Sequence, residues 1–87
     1  MANQYIRTGA GDDKYYYKDI GETILHREDG PAYEASSSSY QEWWLNNKIH
    51  RIDGPAVEHA IGNNRWFVNG IFMFETDRNG NITRRMY

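Results

Sequence analysis

Ten Lys and Arg against twelve Asp and Glu in 87 residues give a net charge of −2 and length for one small domain, which opposes binding to a nucleic acid polymer because phosphate neutralisation needs clustered Lys and Arg. The chain has no cysteine, hence no disulfide and no thiolate metal site, and no apolar run approaches the ~20 residues that span a bilayer. Met1-Ala2-Asn3-Gln4 has neither a basic nor an apolar leader region, so the expected compartment is the cytoplasm.

Residues 1–13 are polar, contain Gly9-Ala10-Gly11, and read as a flexible N-terminal arm before a single β-repeat domain over 14–87. Residues 14–18 read as an aromatic strand, 19–22 as a turn and 23–26 as a short strand. Asp29-Gly30-Pro31 reads as a turn in which Gly supplies a positive φ, Pro fixes the next φ and Asp bonds backbone N–H groups. Residues 32–35 form the next strand, and four serines, 36–39, mark the tip of a long hairpin. Residues 40–45 and 48–50 flank Asn46-Asn47, a type I′ candidate. Asp53-Gly54-Pro55 repeats the earlier turn, and 56–59 the earlier strand. Gly62-Asn63-Asn64 leads into a strand at 65–68, Asn69-Gly70 is the strongest hairpin signal, and strands at 71–75 and 81–85 flank a last turn over 77–80. No window holds a helical period. The expected fold is all-β, an antiparallel meander of short hairpins.

The meander is repetitive. Residues 26–34 read His-Arg-Glu-Asp-Gly-Pro-Ala-Tyr-Glu and residues 50–58 read His-Arg-Ile-Asp-Gly-Pro-Ala-Val-Glu, seven identities in nine at an offset of 24. Trp43-Trp44-Leu45-Asn46-Asn47 precedes the second copy, and Trp66-Phe67-Val68-Asn69-Gly70 opens a third unit at an offset of 23. Tyr15-Tyr16-Tyr17 precedes the first copy, with about four extra residues around Ile20–Glu22. The third unit is degenerate, Met73-Phe74-Glu75-Thr76 standing where His-Arg-x-Asp should be, as terminal repeats often are. The chain thus holds about two and a half repeats of 23–24 residues. By period two, Trp43 and Leu45 share one sheet face and Trp44 takes the other, as Phe67 does against Trp66 and Val68. Both faces therefore carry large apolar groups. Either the sheet curls, or a second chain covers one face, or one face is a ligand surface; a homo-oligomer is expected.

The pattern of Trp-x-x-Asn-Gly/Asn, a short strand and His-Arg-x-Asp-Gly-Pro-Ala resembles a variant of the MORN repeat found in hypothetical proteins of bacteriophages and large viruses, over residues 14–76. Usual MORN units carry Gly after His, where this chain has Arg27 and Arg51. The resemblance implies stacked β-hairpins and, for a small acidic cytoplasmic phage protein, a binder that inhibits or sequesters a host component.

Two groups of residues are binding candidates. His26, Arg27, His50 and Arg51 could form a row for a small anionic, nucleotide-like ligand, since arginine offers a planar fork to phosphate or carboxylate. The alternative is that they, with Asp29, Gly30, Pro31, Asp53, Gly54 and Pro55, simply build each unit's turn. The aromatic row Tyr16, Trp44 and Phe67 could be a stacking or protein-contact surface, a core, or a dimer seam. His26, His50 and His59 lack metal-ligand spacing, so no metal is expected. No nucleophile stands beside a base, so neither enzymatic activity nor a cofactor is expected. The function expected is non-enzymatic binding of a host protein, with a small anionic ligand as the second possibility and a self-assembling structural module as the third.

Overall fold

Aromatic and β-branched residues favour pleated strands, and here Asn, Asp and Gly interrupt them every few positions, so the strands are short. The computed structural model describes residues 4–35, 40–60 and 62–86. Its strands are β1 (Tyr5–Thr8), β2 (Lys14–Tyr17), β3 (Tyr33–Glu34), β4 (Gln41–Glu42), β5 (Trp44–Leu45), β6 (Lys48–Ile49), β7 (Val57–Glu58), β8 (Asn64–Val68), β9 (Ile71–Thr76) and β10 (Ile82–Arg85). Apart from one 3-10 turn at Ala10–Asp12, the described residues contain no helix. The expectation of an all-β antiparallel meander is met. Eight strands form one open sheet in the order β1-β2-β3-β4-β7-β8-β9-β10, and β5 and β6 form a separate hairpin.

The sheet does not curl on itself, and the molecule is a slab of 39 × 27 × 18 Å. One line of residues runs across it in register, Tyr15, Tyr33, Glu42, Val57, Arg65 and Glu75. The deepest side chains are small: Ala32 and Ala56 are 0% exposed. Each joins two units. The amide of Tyr16 donates to Ala32 O and that of Ala32 to Glu42 O; the amide of Trp43 donates to Ala56 O and that of Ala56 to Arg65 O, all at 2.8 Å.

The two copies of the motif are structurally equivalent, but the aromatic positions align differently from the expected row. The shared bonds pair Tyr16 with Trp43, and hence Tyr17 with Trp44. In the first unit the loop over 19–23 replaces the two-residue Asn46-Asn47 turn, and Asp19 accepts the amides of Thr23 and Ile24 to close it. Asn46 and Asn47, at φ 50° and 65°, and Asn69 and Gly70, at 51° and 82°, are the left-handed pairs that a type I′ hairpin demands.

Other expectations need correction. Residues 5–8 of the expected flexible arm are strand β1, paired along its length with β2, because Tyr-Ile-Arg-Thr is itself a β-prone run. Gln4 then completes the first unit: its side-chain amide donates to Tyr17 O at 3.2 Å and His26 O at 2.9 Å. In the second unit the equivalent carbonyl, Trp44 O, receives the backbone amide of Arg27. Residues 23–26 contribute only a bridge, Tyr17 to Leu25, and the strand expected over 40–45 divides at Trp43 into β4 and β5. The hairpin tip expected at 36–39 lies outside the described residues.

Candidate functional site

The repeated motif builds an arginine sandwich. Arg51 lies with its guanidinium carbon 3.9 Å from the Trp43 ring centroid. Its Nε donates to Asp53 Oδ1 at 3.1 Å and its Nη1 to Pro55 O at 3.2 Å, with Glu58 Oε1 at 3.5 Å. Arg27 repeats every contact: 4.0 Å over Tyr16, Asp29 at 3.2 Å, Pro31 O at 3.2 Å and Glu34 at 3.6 Å. Tyr16 is only 8% exposed, and its hydroxyl donates to Glu34 at 2.9 Å. Burial, with that bond to Glu34, raises its phenol above its ordinary pKa.

This geometry revises the chemistry of the Asp-Gly-Pro turn. Gly30 and Gly54 are not among the glycines at positive φ, which are Gly11, Gly70 and Gly80. Instead the guanidinium packs against their α-carbons, and an added Cβ would stand 2.9 Å from Arg27 Cζ and 2.7 Å from Arg51 Cζ. The carboxylates of Asp29 and Asp53, expected to bind turn amides, accept from arginine Nε, and Asp53 is 88% exposed.

The histidines tie each unit to the next. His26 Nδ1 accepts the amide of Asn46 at 2.9 Å, and His50 Nδ1 accepts that of Asn69 at 2.8 Å. Each ring therefore holds the hairpin turn of the following unit in place. His26 Nε2 also faces Glu28 at 3.2 Å. Among the described residues no group of three or more His, Asp or Glu side chains is placed to hold a metal ion.

Between the two arginine loops lies a groove of ≈ 420 Å³, lined in part by Arg27, Trp43, His50 and Arg51 and also by Glu28, Asp29 and Asp53. An anion there meets two already paired arginines and three carboxylates.

The opposite face is aromatic. Tyr16 is not in one row with Trp44 and Phe67, because adjacent residues of a strand face opposite ways and Tyr16 aligns with Trp43. The row is instead Tyr17, Trp44 and Phe67, with Tyr15, Tyr33 and Tyr40 beside it. Ring centroids are 6.5 Å apart for Tyr15 and Tyr17, 4.9 Å for Tyr15 and Tyr33, 6.0 Å for Tyr33 and Tyr40, and 4.6 Å for Tyr40 and His59. Glu42 anchors the middle, accepting the Trp44 indole N–H at 2.9 Å and the Tyr40 hydroxyl. Burial first, then the bond to Glu42, raises the Tyr40 pKa. Tyr33 reaches Asp13 at 3.4 Å. Tyr17 is buried, His59 is exposed, and the other rings are half-buried. Alternation within Tyr15-Tyr16-Tyr17 is the signal that separates the two faces; the longer loop at 19–23 obscures how the first unit aligns with the second.

Compared with protein-family models, curated proteins and solved structures, the chain matches none. No helix among the described residues is long and apolar enough to cross a membrane.

Proposed function

We propose that this chain is a non-enzymatic binding protein that engages another protein through its aromatic face, Tyr15, Tyr17, Tyr33, Tyr40, Trp44 and Phe67. The observation that carries this reading is the division of labour between the faces. The arginines of the repeated motif on one face are spent on the chain's own rings and carbonyls, while the other presents aromatics, all but Tyr17 half-buried, among which the Tyr33 and Tyr40 hydroxyls and the Trp44 indole are already bonded to carboxylates. Aromatic anchors with satisfied polar atoms are what protein interfaces use. The motif's resemblance to MORN-like repeats of bacteriophage and large-virus proteins supports a host component as the target, inhibited or sequestered in the host cytoplasm. The anionic-ligand reading through His26, Arg27, His50 and Arg51 is disfavoured by their internal bonds and by the carboxylates around the groove.

The test is capture from host lysate beside a thermal-shift screen of nucleotides. The expected result is a stoichiometric protein partner retained by the wild type and lost by Trp44→Ala, with no nucleotide raising the melting temperature. A nucleotide shift removed by Arg51→Ala, without a protein partner, overturns the reading. The truncation of a central Trp anchor is expected to cost at least ~2 kcal/mol of binding.

A further inference from the structure

We infer that the outer edge of β10 is a second docking site, which receives an extended acidic segment of a protein as an added antiparallel strand. This deepens the protein-binding reading by naming a partner chemistry, and it uses a different surface.

Among the described residues β10 is the last strand of the open sheet, and all four of its residues are exposed. The β9–β10 ladder pairs Arg84 with Glu75 and Arg85 with Phe74, and the amide of Met86 continues it by donating to Met73 O. Inward and outward backbone groups alternate along a strand, so the amide and carbonyl of Arg85 point to the open edge, where a further strand would pair.

The charge along this edge selects the partner. Arg78, Arg84 and Arg85 lie within the eight positions 78–85, which hold no carboxylate, with Asp77 just before them, in a chain whose net charge is −2. Arg84 is tethered, with Nε 3.4 Å from Glu75 Oε1 and its guanidinium 5.2 Å from the Phe72 centroid, yet its side chain is 66% exposed. Among the described residues Arg85 and Arg78 have no ion pair. A second copy of β10, or of β1 with Arg7, would bring arginine toward arginine, and like charges across a ladder repel. An acidic strand meets the opposite situation.

The register makes the proposal specific. Arg84 shares a face with Glu75, and Arg85 shares the other with Phe74. A partner strand therefore needs two consecutive acidic residues, one directed to each face. The bulge between Ile82 and Arg84 interrupts pairing before this point, which confines the site to residues 84–86.

The probe is a fluorescein-labelled ten-residue peptide, Thr and Val alternating around a central Glu-Glu, read by fluorescence anisotropy against the full chain. The expected result is saturable binding that weakens at least tenfold with Arg84→Glu/Arg85→Glu and is lost when the peptide's edge-facing amide is N-methylated. Arg84→Gln/Arg85→Gln, checked for wild-type circular dichroism, gives the same direction if charge reversal unfolds the chain. Trp44→Ala is expected to bind the peptide normally, so loss of the aromatic-face partner and loss of edge binding are separate results. Oligothymidylate binding as tight as the peptide's, indifference to N-methylation, or equal binding of a Lys-Lys peptide each overturns the proposal.

Discussion

At the scale of single residues, the glycine of each Asp-Gly-Pro turn is set by its arginine. Gly54 leaves room for a guanidinium pinned between the Trp43 ring and the turn backbone. Gly54→Ala is expected to destabilise the fold by about 1–3 kcal/mol, the usual range for overpacking, because Arg51 must give up its contacts to make room. In an Arg51→Ala background the same substitution should cost almost nothing, and chemical denaturation of the four proteins of this double-mutant cycle checks the coupling. Asp53→Ala should cost less than Arg51→Ala, about 0–1 kcal/mol, because its carboxylate is a solvated ion-pair partner. Sequence reasoning singled out these residues and left structural and ligand-binding roles open. It missed why glycine is needed, because a side chain folding back onto a neighbouring α-carbon leaves no trace in local turn chemistry. A second residue-level prediction concerns acid. Asp77 accepts the amides of Asn81 and Asn79, chiefly the former, which lowers its pKa; the Thr23 hydroxyl chiefly does the same for Asp19. A folded pKa below the unfolded value of about 4 gives stabilisation that is present above that pH and is lost as pH falls through the folded value. The melting temperature should therefore drop more steeply below about pH 4 for the wild type than for Asp77→Asn/Asp19→Asn.

At the scale of elements, the third unit shows what a repeat keeps when its signature residues are gone. Phe74 occupies the place of Arg51, and its ring stacks on Trp66 with centroids 4.6 Å apart and planes 16° apart. A planar aromatic has replaced a planar cation above the same ring position. Phe74→Ala should lower stability by about 2 kcal/mol, while Phe74→Arg, which restores a flat group over Trp66, should recover most of that loss; thermal melts of the two variants check it. The repeat, the Asn-Asn and Asn-Gly hairpins and the degenerate end were legible in sequence, because turn type and hydrophobic alternation are local. The alignment of Tyr16 with Trp43 was not, because the loop over 19–23 changes the offset while the hydrogen bonds keep the geometry. Strand β1 is masked in sequence by the polar and glycine-containing residues around it, although Tyr5-Ile6-Arg7-Thr8 carries a strand-forming composition.

At the scale of the whole molecule, an open sheet 18 Å thick cannot enclose a large core, and its smallest buried residues are its deepest. Ile6, Ile20, Ile52, Ile71 and Ile82 are at least 49% exposed, and the aromatic face is half covered. We expect such a chain to associate with copies of itself when no partner is present, through the aromatic face, since both β1 and the end strand β10 carry arginine. Sedimentation velocity should show a concentration-dependent dimer or larger species that Trp44→Ala shifts toward monomer. A monomer at high micromolar concentration would remove self-association from the account. The division of the two faces was half legible in sequence: alternation predicted large groups on both, but which face the arginines cover depends on where loops between strands fold.

The histidine that grips the next unit's turn, and the alanine that bridges two units, give the molecule a polarity and a fixed pitch. Each joint is made by equivalent atoms at distances that agree within 0.1 Å, 2.9 and 2.8 Å at the histidine Nδ1 atoms and 2.8 Å at the alanines. Length is therefore a free variable. A further copy of residues 43–65 placed after Arg65 would meet a preceding and a following neighbour it already fits, while Gln4 and the Trp66–Phe74 stack remain at the two ends. It would add two strands to the sheet and lengthen the slab by roughly 9–10 Å, a protein ruler graduated in repeats.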